Sequence, residues 1–387
     1  MTLITVGDRE PAEGSTVTPL GAGALPAELP LRQSLRRLTS YAAPQPVVPV
    51  RLNTNEMPYP PTPELVSDIA EAVRAAATTS HRYPDPHALA LRTELADYLT
   101  RSIGCAVAPA NVWVANGSSE ILQQLMALFG GAGQRALGCT PAYSMYRILA
   151  ECIDTEWISV PSAPDFALDV DDIVAAITDQ RPDLVFVTNP HSPSGHSTEI
   201  GELERILNAA PGIVVVDEAY GEFSATPSAI RLIERFPTKL VVTRTLSKAF
   251  GFAGGRLGYL IAAPAVVETI SLVRLPYHLS AITQAAARAV LRHSDTILAR
   301  VATTIAERGR VCAALRTLGF EVYDSEANFL LFGRFADPSK AWQNYLDRGV
   351  LIREVGTQHH LRVTIGSTAE NERFLAVCSE LRELGLA

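Results

Sequence analysis

The stretch Thr243-Arg-Thr-Leu-Ser-Lys-Ala-Phe-Gly-Phe-Ala-Gly-Gly-Arg256 decides the reading of this chain. An apolar run, Leu240-Val241-Val242, leads into a hydroxyl-rich turn. Lys248 comes next, followed by a glycine-rich segment that ends in Arg256. A lysine at the mouth of a buried strand, set between hydroxyls and an arginine, is placed to hold an aldehyde cofactor that carries a phosphate. Upstream, Ile213-Val-Val-Val-Asp-Glu-Ala-Tyr220 reads as a second buried strand, delivering the Asp217 carboxylate and the Tyr220 phenol to the same end of a sheet. In a doubly wound α/β sheet ligands sit beyond the carboxyl ends of the strands, and the chemistry of this set points to pyridoxal phosphate.

Working outward, further short apolar runs alternate with amphipathic stretches from residue 61 to 275. Strands are expected at Val112–Ala115, Arg135–Gly138, Thr155–Val160, Leu184–Thr188, Ile213–Val216, Leu240–Thr243 and Arg256–Ile261, with helices such as Ile121–Phe129 and Val170–Thr178 between them. That alternation predicts a mostly parallel seven-stranded sheet covered by helices on both faces. From 276 to 387 the pattern changes to one long helix (Ala281–Leu318), short strands (Phe320–Tyr323, Phe329–Phe332, Val350–Arg353, Leu361–Ile365) and a closing helix (Ala369–Leu386), a smaller α+β domain. Residues 1–30, rich in Pro and Gly, read as a loose arm. The proline-punctuated segment 31–60 is expected to cross a surface, joining the small domain and a dimer interface.

Bulk composition narrows the classes. With 47% hydrophobic and 19% charged residues among 387, the chain builds a sizeable core and is not disordered. A net charge of -8 argues against nucleic acid and anionic membranes as main partners. No apolar run approaches the ~18 residues of a membrane span. The N-terminus lacks a secretory pattern, and Cys105, Cys139, Cys152, Cys312 and Cys378 show no paired spacing. A cytoplasmic protein with reduced thiols is expected.

Each candidate residue has a role that its chemistry allows. Lys248 can form the Schiff base, and Asp217 can keep a pyridine nitrogen protonated so that the ring acts as an electron sink. Tyr220 can bond the cofactor's phenolic oxygen. Gly117, Ser118 and Ser119 lie at a strand–turn–helix junction whose N–H groups would face a phosphate. Thr245, Ser247 and Arg256 add donors, and Tyr143 can stack on the ring. Gly131-Ala-Gly133-Gln-Arg-Ala136 follows a helix and reads as a helix stop, not a nucleotide fingerprint. His359-His360 lacks a ligand cluster, so no metal is expected.

Taken together, these motifs resemble the class I/II aminotransferases of pyridoxal-phosphate fold type I, closest to the histidinol-phosphate aminotransferases in their actinobacterial form. The resemblance rests on Arg51-Leu-Asn-Thr-Asn-Glu56, Arg82-Tyr-Pro-Asp85, Asn116-Gly-Ser118, Asp217-Glu-Ala-Tyr220, Ser247-Lys-Ala-Phe250, Gly255-Arg-Leu-Gly-Tyr259, Arg274-Leu-Pro-Tyr277, Ala327-Asn-Phe329 and Leu361-Arg-Val-Thr-Ile-Gly366. It implies a homodimer with shared active sites and a small-molecule amine or amino-acid substrate. Arg362 would receive the substrate's acidic group. Asn55, Arg82 and Tyr83 match segments that approach the active site, in part from the partner subunit, and Asn55, Tyr83, His191 and Asn328 are the substrate-side candidates.

Several positions depart from the family pattern. His191-Ser-Pro-Ser-Gly195 stands where Asn-Asn-Pro-Thr/Ser-Gly is usual, so Ser192 occupies a cofactor-binding position. Met57 replaces an Asn, Ser119 replaces Asn or Asp, and Ala142 and Tyr146-Arg147 replace segments of Pro-Ser-Tyr-Ser-Met-His-Pro. These departures set up two expectations. One is transamination of histidinol phosphate or an aromatic amino acid with 2-oxoglutarate. The other is a specialised paralogue with a modified pocket, performing β-elimination or oxidative deamination, in which His191 titrates near neutral pH and moves protons. A non-catalytic role would require loss of Lys248 or Asp217, and both are present.

Overall fold

Strands that read as unbroken apolar runs become the centre of the sheet, because only burial on both faces tolerates that pattern. The structure, a computed structural model, describes residues 29–38 and 45–386, so the arm expected over 1–30 lies almost wholly outside the described residues. In the first of two units, Met1–Tyr41, Gln33–Arg37 forms a 3-10 turn.

The second unit, Ala42–Ala387, begins with β1 (Val50–Arg51), α1 (Pro63–Ala77) and α2 (Leu89–Ile103). It continues with β2 (Val112–Ala115), α3 (Ser118–Phe129), β3 (Arg135–Thr140), α4 (Met145–Cys152), β4 (Glu156–Pro161), α5 (Val170–Gln180) and β5 (Leu184–Thr188). Then follow α6 (Ile200–Ala209), β6 (Ile213–Asp217), β7 (Leu240–Thr245), β8 (Gly258–Ala262), α7 (Pro264–Thr269), α8 (Ala281–Arg292) and α9 (Ser294–Thr317). The chain closes with β9 (Glu321–Val322), β10 (Phe329–Gly333), α10 (Pro338–Asp347), β11 (Val350–Leu351), β12 (Arg353–Glu354), β13 (His360–Thr364) and α11 (Thr368–Glu383).

The expected seven-stranded sheet is present, in the order β2-β8-β7-β6-β5-β3-β4. β8 runs antiparallel to both of its neighbours, and the pairs from β7 to β4 are parallel. Side chains alternate between two cores. Val114, Val185, Val187, Val214, Val216 and Val242 pack with α1, α2, α5 and α6, whereas Trp113, Leu184, Phe186, Ile213, Val215 and Val241 pack with α3 and α4. This matches the expected architecture, a mostly parallel sheet covered by helices together with a small antiparallel sheet, β12-β13-β10-β9.

Three expectations change. The segment 31–60 does not simply cross a surface: β1 pairs in parallel with β11, and Val50 and Leu52 are buried in the same core as Phe332, Tyr345, Val350 and Phe374. The expected helix Ala281–Leu318 is two helices meeting at His293, whose Nε2 bonds Asp68 Oδ2 of α1 at 2.7 Å. Finally, the cores do not change over at residue 276. Ala287, Val290, Ile297 and Val301 still belong to the large-sheet core, and the small core takes over within α9, at Val311, Cys312 and Leu315.

Candidate active site

The site forms at the carboxyl ends of β5, β6 and β7. Asp217 closes β6, is buried, and points its two carboxylate oxygens at different tasks. Oδ2 accepts from the Tyr146 phenol at 2.7 Å, and that phenol also contacts Thr188 Oγ1 at 3.0 Å. Oδ1 is buried with no hydrogen-bond partner among the described residues. Burial raises the Asp217 pKa, against which the Tyr146 hydrogen bond pulls. The adjacent Glu218 serves a separate purpose: its carboxylate pairs with buried Arg244 and accepts from Ser228 and the Ala229 N–H.

Lys248 follows β7, and its Nζ donates to the Thr54 carbonyl at 2.7 Å. Burial, and then the Arg362 and Arg256 guanidiniums, lower its pKa to about 8 against the pull of Glu56. An amine so tuned changes protonation state near neutral pH.

The anion cradle is built by close approach. Gly117 has φ 87°, and a Cβ there would lie 2.6 Å from Arg256 Nη2, so only glycine leaves the guanidinium its place. Ser118 and Ser119 open α3, where first-turn N–H groups have no intrahelical acceptor. Arg256 Nη1 donates to Ser247 Oγ at 3.3 Å. The Thr245 hydroxyl donates to the Leu257 carbonyl at 3.1 Å and accepts from the Ser247 N–H at 3.0 Å. Ser119 Oγ and Tyr143 OH lie 3.4 Å apart.

On the substrate side, residues distant in sequence converge. Asn55 Nδ2 donates to Tyr220 OH at 2.9 Å, Thr364 Oγ1 donates to Asn55 Oδ1 at 2.9 Å, and Asn328 Nδ2 donates to the Asn55 carbonyl at 3.0 Å. Arg362 lies over the Phe329 ring at 5.0 Å and donates to Ser192 Oγ at 3.1 Å and to the Asn53 carbonyl at 3.3 Å. Tyr83, by contrast, is 79% exposed and stacks on Tyr277 with centroids 4.3 Å apart.

Two of the departures prove structural. His191 is buried, with Nδ1 2.9 Å from Ser194 Oγ, and burial lowers its pKa to about 4. It is therefore neutral at physiological pH, and the expectation that it titrates near neutrality and moves protons does not hold. Met57 packs over Gly251, and Thr304 Oγ1 lies 3.7 Å from its sulfur, so it fills the large-sheet core. Tyr146 and Thr364 were the functional neighbours not singled out as site residues. In the sequence Tyr146 stands out only as a departure, and Thr364 only as part of the Leu361–Gly366 marker.

These residues fit pyridoxal phosphate: a buried, open carboxylate oxygen for a ring N–H, a cradle that a single Cβ would fill, and a lysine of lowered pKa. They define a pyridoxal-phosphate-dependent enzyme. The profile described as Aminotransferase class I and II matches residues 48–377, and the chain belongs to that family. It is a pyridoxal-phosphate-dependent aminotransferase. It is 62% identical to a histidinol-phosphate aminotransferase of Nocardia farcinica over 363 residues, 94% of each chain. It is 59% identical to that of Rhodococcus opacus over 353 residues, 91% of this chain and 93% of that one. Among solved structures, it resembles a histidinol-phosphate aminotransferase from Sinorhizobium meliloti in complex with pyridoxal-5'-phosphate, with TM-score 0.82 and 25% identity over 94% of this chain and 100% of that one. Similarity of this extent gives no support to the expected change of reaction, nor to a non-catalytic role. Among the described residues no helix is long and apolar enough to cross a membrane, and no cluster of metal-ligating side chains occurs.

Proposed function

We propose that this chain transaminates histidinol phosphate with 2-oxoglutarate, working as a homodimer. The single observation that carries the chemistry is the convergence of Lys248, the open Asp217 Oδ1 and the Arg362 guanidinium at one end of the sheet. The high identity to histidinol-phosphate aminotransferases supports the choice of substrate.

When bound, pyridoxal phosphate supplies an electron sink for a carbanion at the substrate's Cα and carries the amino group between half-reactions. Lys248 holds or releases a proton at Nζ and is the group that moves it at Cα. Asp217 Oδ1 would receive the ring N–H, with Oδ2 held by Tyr146. Tyr220, oriented by Asn55, would donate to the phenolic oxygen. Arg256, Ser247 and the α3 N-terminus would hold the phosphate, and Arg362 would take the acidic group of either substrate.

The homodimer reading is supported by exposed apolar side chains on one segment: Leu272 is 79% exposed, Leu275 72% and Tyr277, which stacks on Tyr83, 42%. Side chains of this kind fit an interface. In the direct test, the purified holoenzyme receives histidinol phosphate alone, then 2-oxoglutarate alone, while its absorbance is followed. The expected result is a complete spectral change on the first addition and its reversal on the second, with one glutamate formed per site. Multiple turnovers with ammonia release would overturn transamination. Full reaction with phenylalanine but none with histidinol phosphate would overturn the substrate.

A further inference from the structure

One carboxylate outside the reaction ties together three segments that deliver the site. Glu326 Oε2 accepts from Ser197 Oγ at 3.0 Å, from the Ala225 N–H at 3.0 Å, from the Thr226 N–H and Oγ1 at 3.2 Å each, and from Ser224 Oγ. Its own N–H donates to the Gly195 carbonyl at 2.8 Å. Gly195 has φ 85°, and an added Cβ there would collide with Ser325, so the two backbones meet without room to slide.

The first segment held is the turn that carries Ser192. The second is the stretch that follows Tyr220. The third leads into β10, where Asn328 bonds the Asn55 carbonyl and Phe329 lies beneath Arg362 and edge-on to Tyr220, at 5.0 Å in each case. Phe329, three residues beyond Glu326, is thus a surface shared by the arginine and the phenol. On α9, Arg308 Nη1 donates to the Ala327 carbonyl at 2.8 Å and is the cation facing Glu326. Burial pushes the Glu326 carboxyl upward, but the hydrogen bonds from Ser224, Ser197 and Thr226 prevail and hold it below the usual range. It is therefore a charged acceptor at neutral pH. Hydrogen bonds to an ionised acceptor are shorter and stronger than those between neutral groups.

We propose that Glu326 is a positioning residue for substrate binding: by joining the 195–197 turn, the 224–226 loop and the entry to β10, it sets the Phe329 surface on which Arg362 meets an acidic ligand. The proposal rests on Arg362 being the acidic-group receptor. The bland alternative is a staple that supports stability without affecting the ligand.

The test measures succinate, an unreactive dicarboxylate, binding to the holoenzyme by calorimetric titration, with thermal unfolding recorded in parallel. The variants are Glu326→Ala, Glu326→Gln, Ser224→Ala and Arg362→Ala. Coupling through packed side chains predicts roughly 2- to 30-fold weaker succinate binding for Glu326→Ala. Glu326→Gln should recover most of that loss, because an amide oxygen can still accept at the same place. Ser224→Ala, which removes one donor and leaves the fold least disturbed, should shift affinity in the same direction by less. Lowered unfolding temperature with wild-type affinity in both Glu326→Ala and Ser224→Ala would overturn the proposal and leave Arg362 untouched. Should Arg362→Ala bind succinate as wild type does, the receptor reading fails, and the proposal with it.

Discussion

Tyr146 donates its phenol hydrogen to Asp217 Oδ2 at 2.7 Å, both side chains being buried, and leaves Oδ1 as the carboxylate's open acceptor. The pair gives each oxygen of one carboxylate a separate role. Burial and the neighbouring Asp217 push the Tyr146 pKa well up, so the phenol stays a neutral donor. Tyr146→Phe strands a buried acceptor, which costs about 1–3 kcal/mol. Denaturant unfolding of the apo-protein should show that loss, and pyridoxal phosphate should dissociate faster from the variant. If stability and dissociation rate both match wild type, Tyr146 does not support Asp217.

Lys248 and Asp217 should separate cleanly on substitution. Lys248→Ala should abolish covalent retention of the cofactor after borohydride reduction, read by mass spectrometry of the intact protein. Asp217→Ala should still bind the cofactor yet turn over far more slowly, because the ring loses the carboxylate that stabilises its protonated nitrogen. Turnover of Asp217→Ala within a few-fold of wild type would sink that role.

Arg362→Ala should weaken binding of 2-oxoglutarate by about 2–5 kcal/mol, the cost of leaving a partly buried charge unpaired. KM should rise more than kcat falls. An unchanged KM would point to a different anion-binding residue.

His191 governs a pH dependence of stability, not of proton transfer. Its folded pKa, about 4, lies below that of an unfolded histidine, near 6.5. Between those values the unfolded chain binds the extra proton, so stability rises with pH across this window, by at most about 1.4 kcal/mol per pH unit from this group. His191→Asn should flatten that slope in unfolding titrations. The kcat profile around neutral pH should not change; loss of a limb near pH 6–7 would reinstate a proton-moving role.

Leu275→Asp places a charge in the 272–277 segment, whose Leu272, Leu275 and Tyr277 are exposed and whose Tyr277 stacks on Tyr83. If that segment forms the subunit interface and the proposed dimer shares its active sites, sedimentation should show a shift from dimer toward monomer, and activity should fall with it. A wild-type protein that sediments as a monomer would remove the shared-site reading.

Much of the site was legible early because local rules suffice for it. A strand buried on both faces must be apolar throughout, so Leu184–Thr188, Ile213–Asp217 and Leu240–Thr245 declare themselves, and the residues that follow necessarily emerge at the sheet's carboxyl edge. Asp217, Tyr220, Lys248 and Arg256 could be read from that logic together with their chemistry. β8 begins at Gly258, two residues later than expected, because Arg256 turns into the left-handed region at φ 53° to face Gly117.

Other features depended on packing between segments far apart along the chain. Val50–Arg51 is too short to show a period, and its strand partner is Val350–Leu351. Tyr146 reaches Asp217 across 71 residues, and Ser192 meets Arg362 across 170. Burial, and then the neighbouring His196, lower the His191 pKa to about 4. Periodicity and residue chemistry specify which groups arrive at the edge of a sheet. Which of them then touch, and which are desolvated, follows from how helices and the second core close over that edge, and those contacts leave no local pattern in the chain.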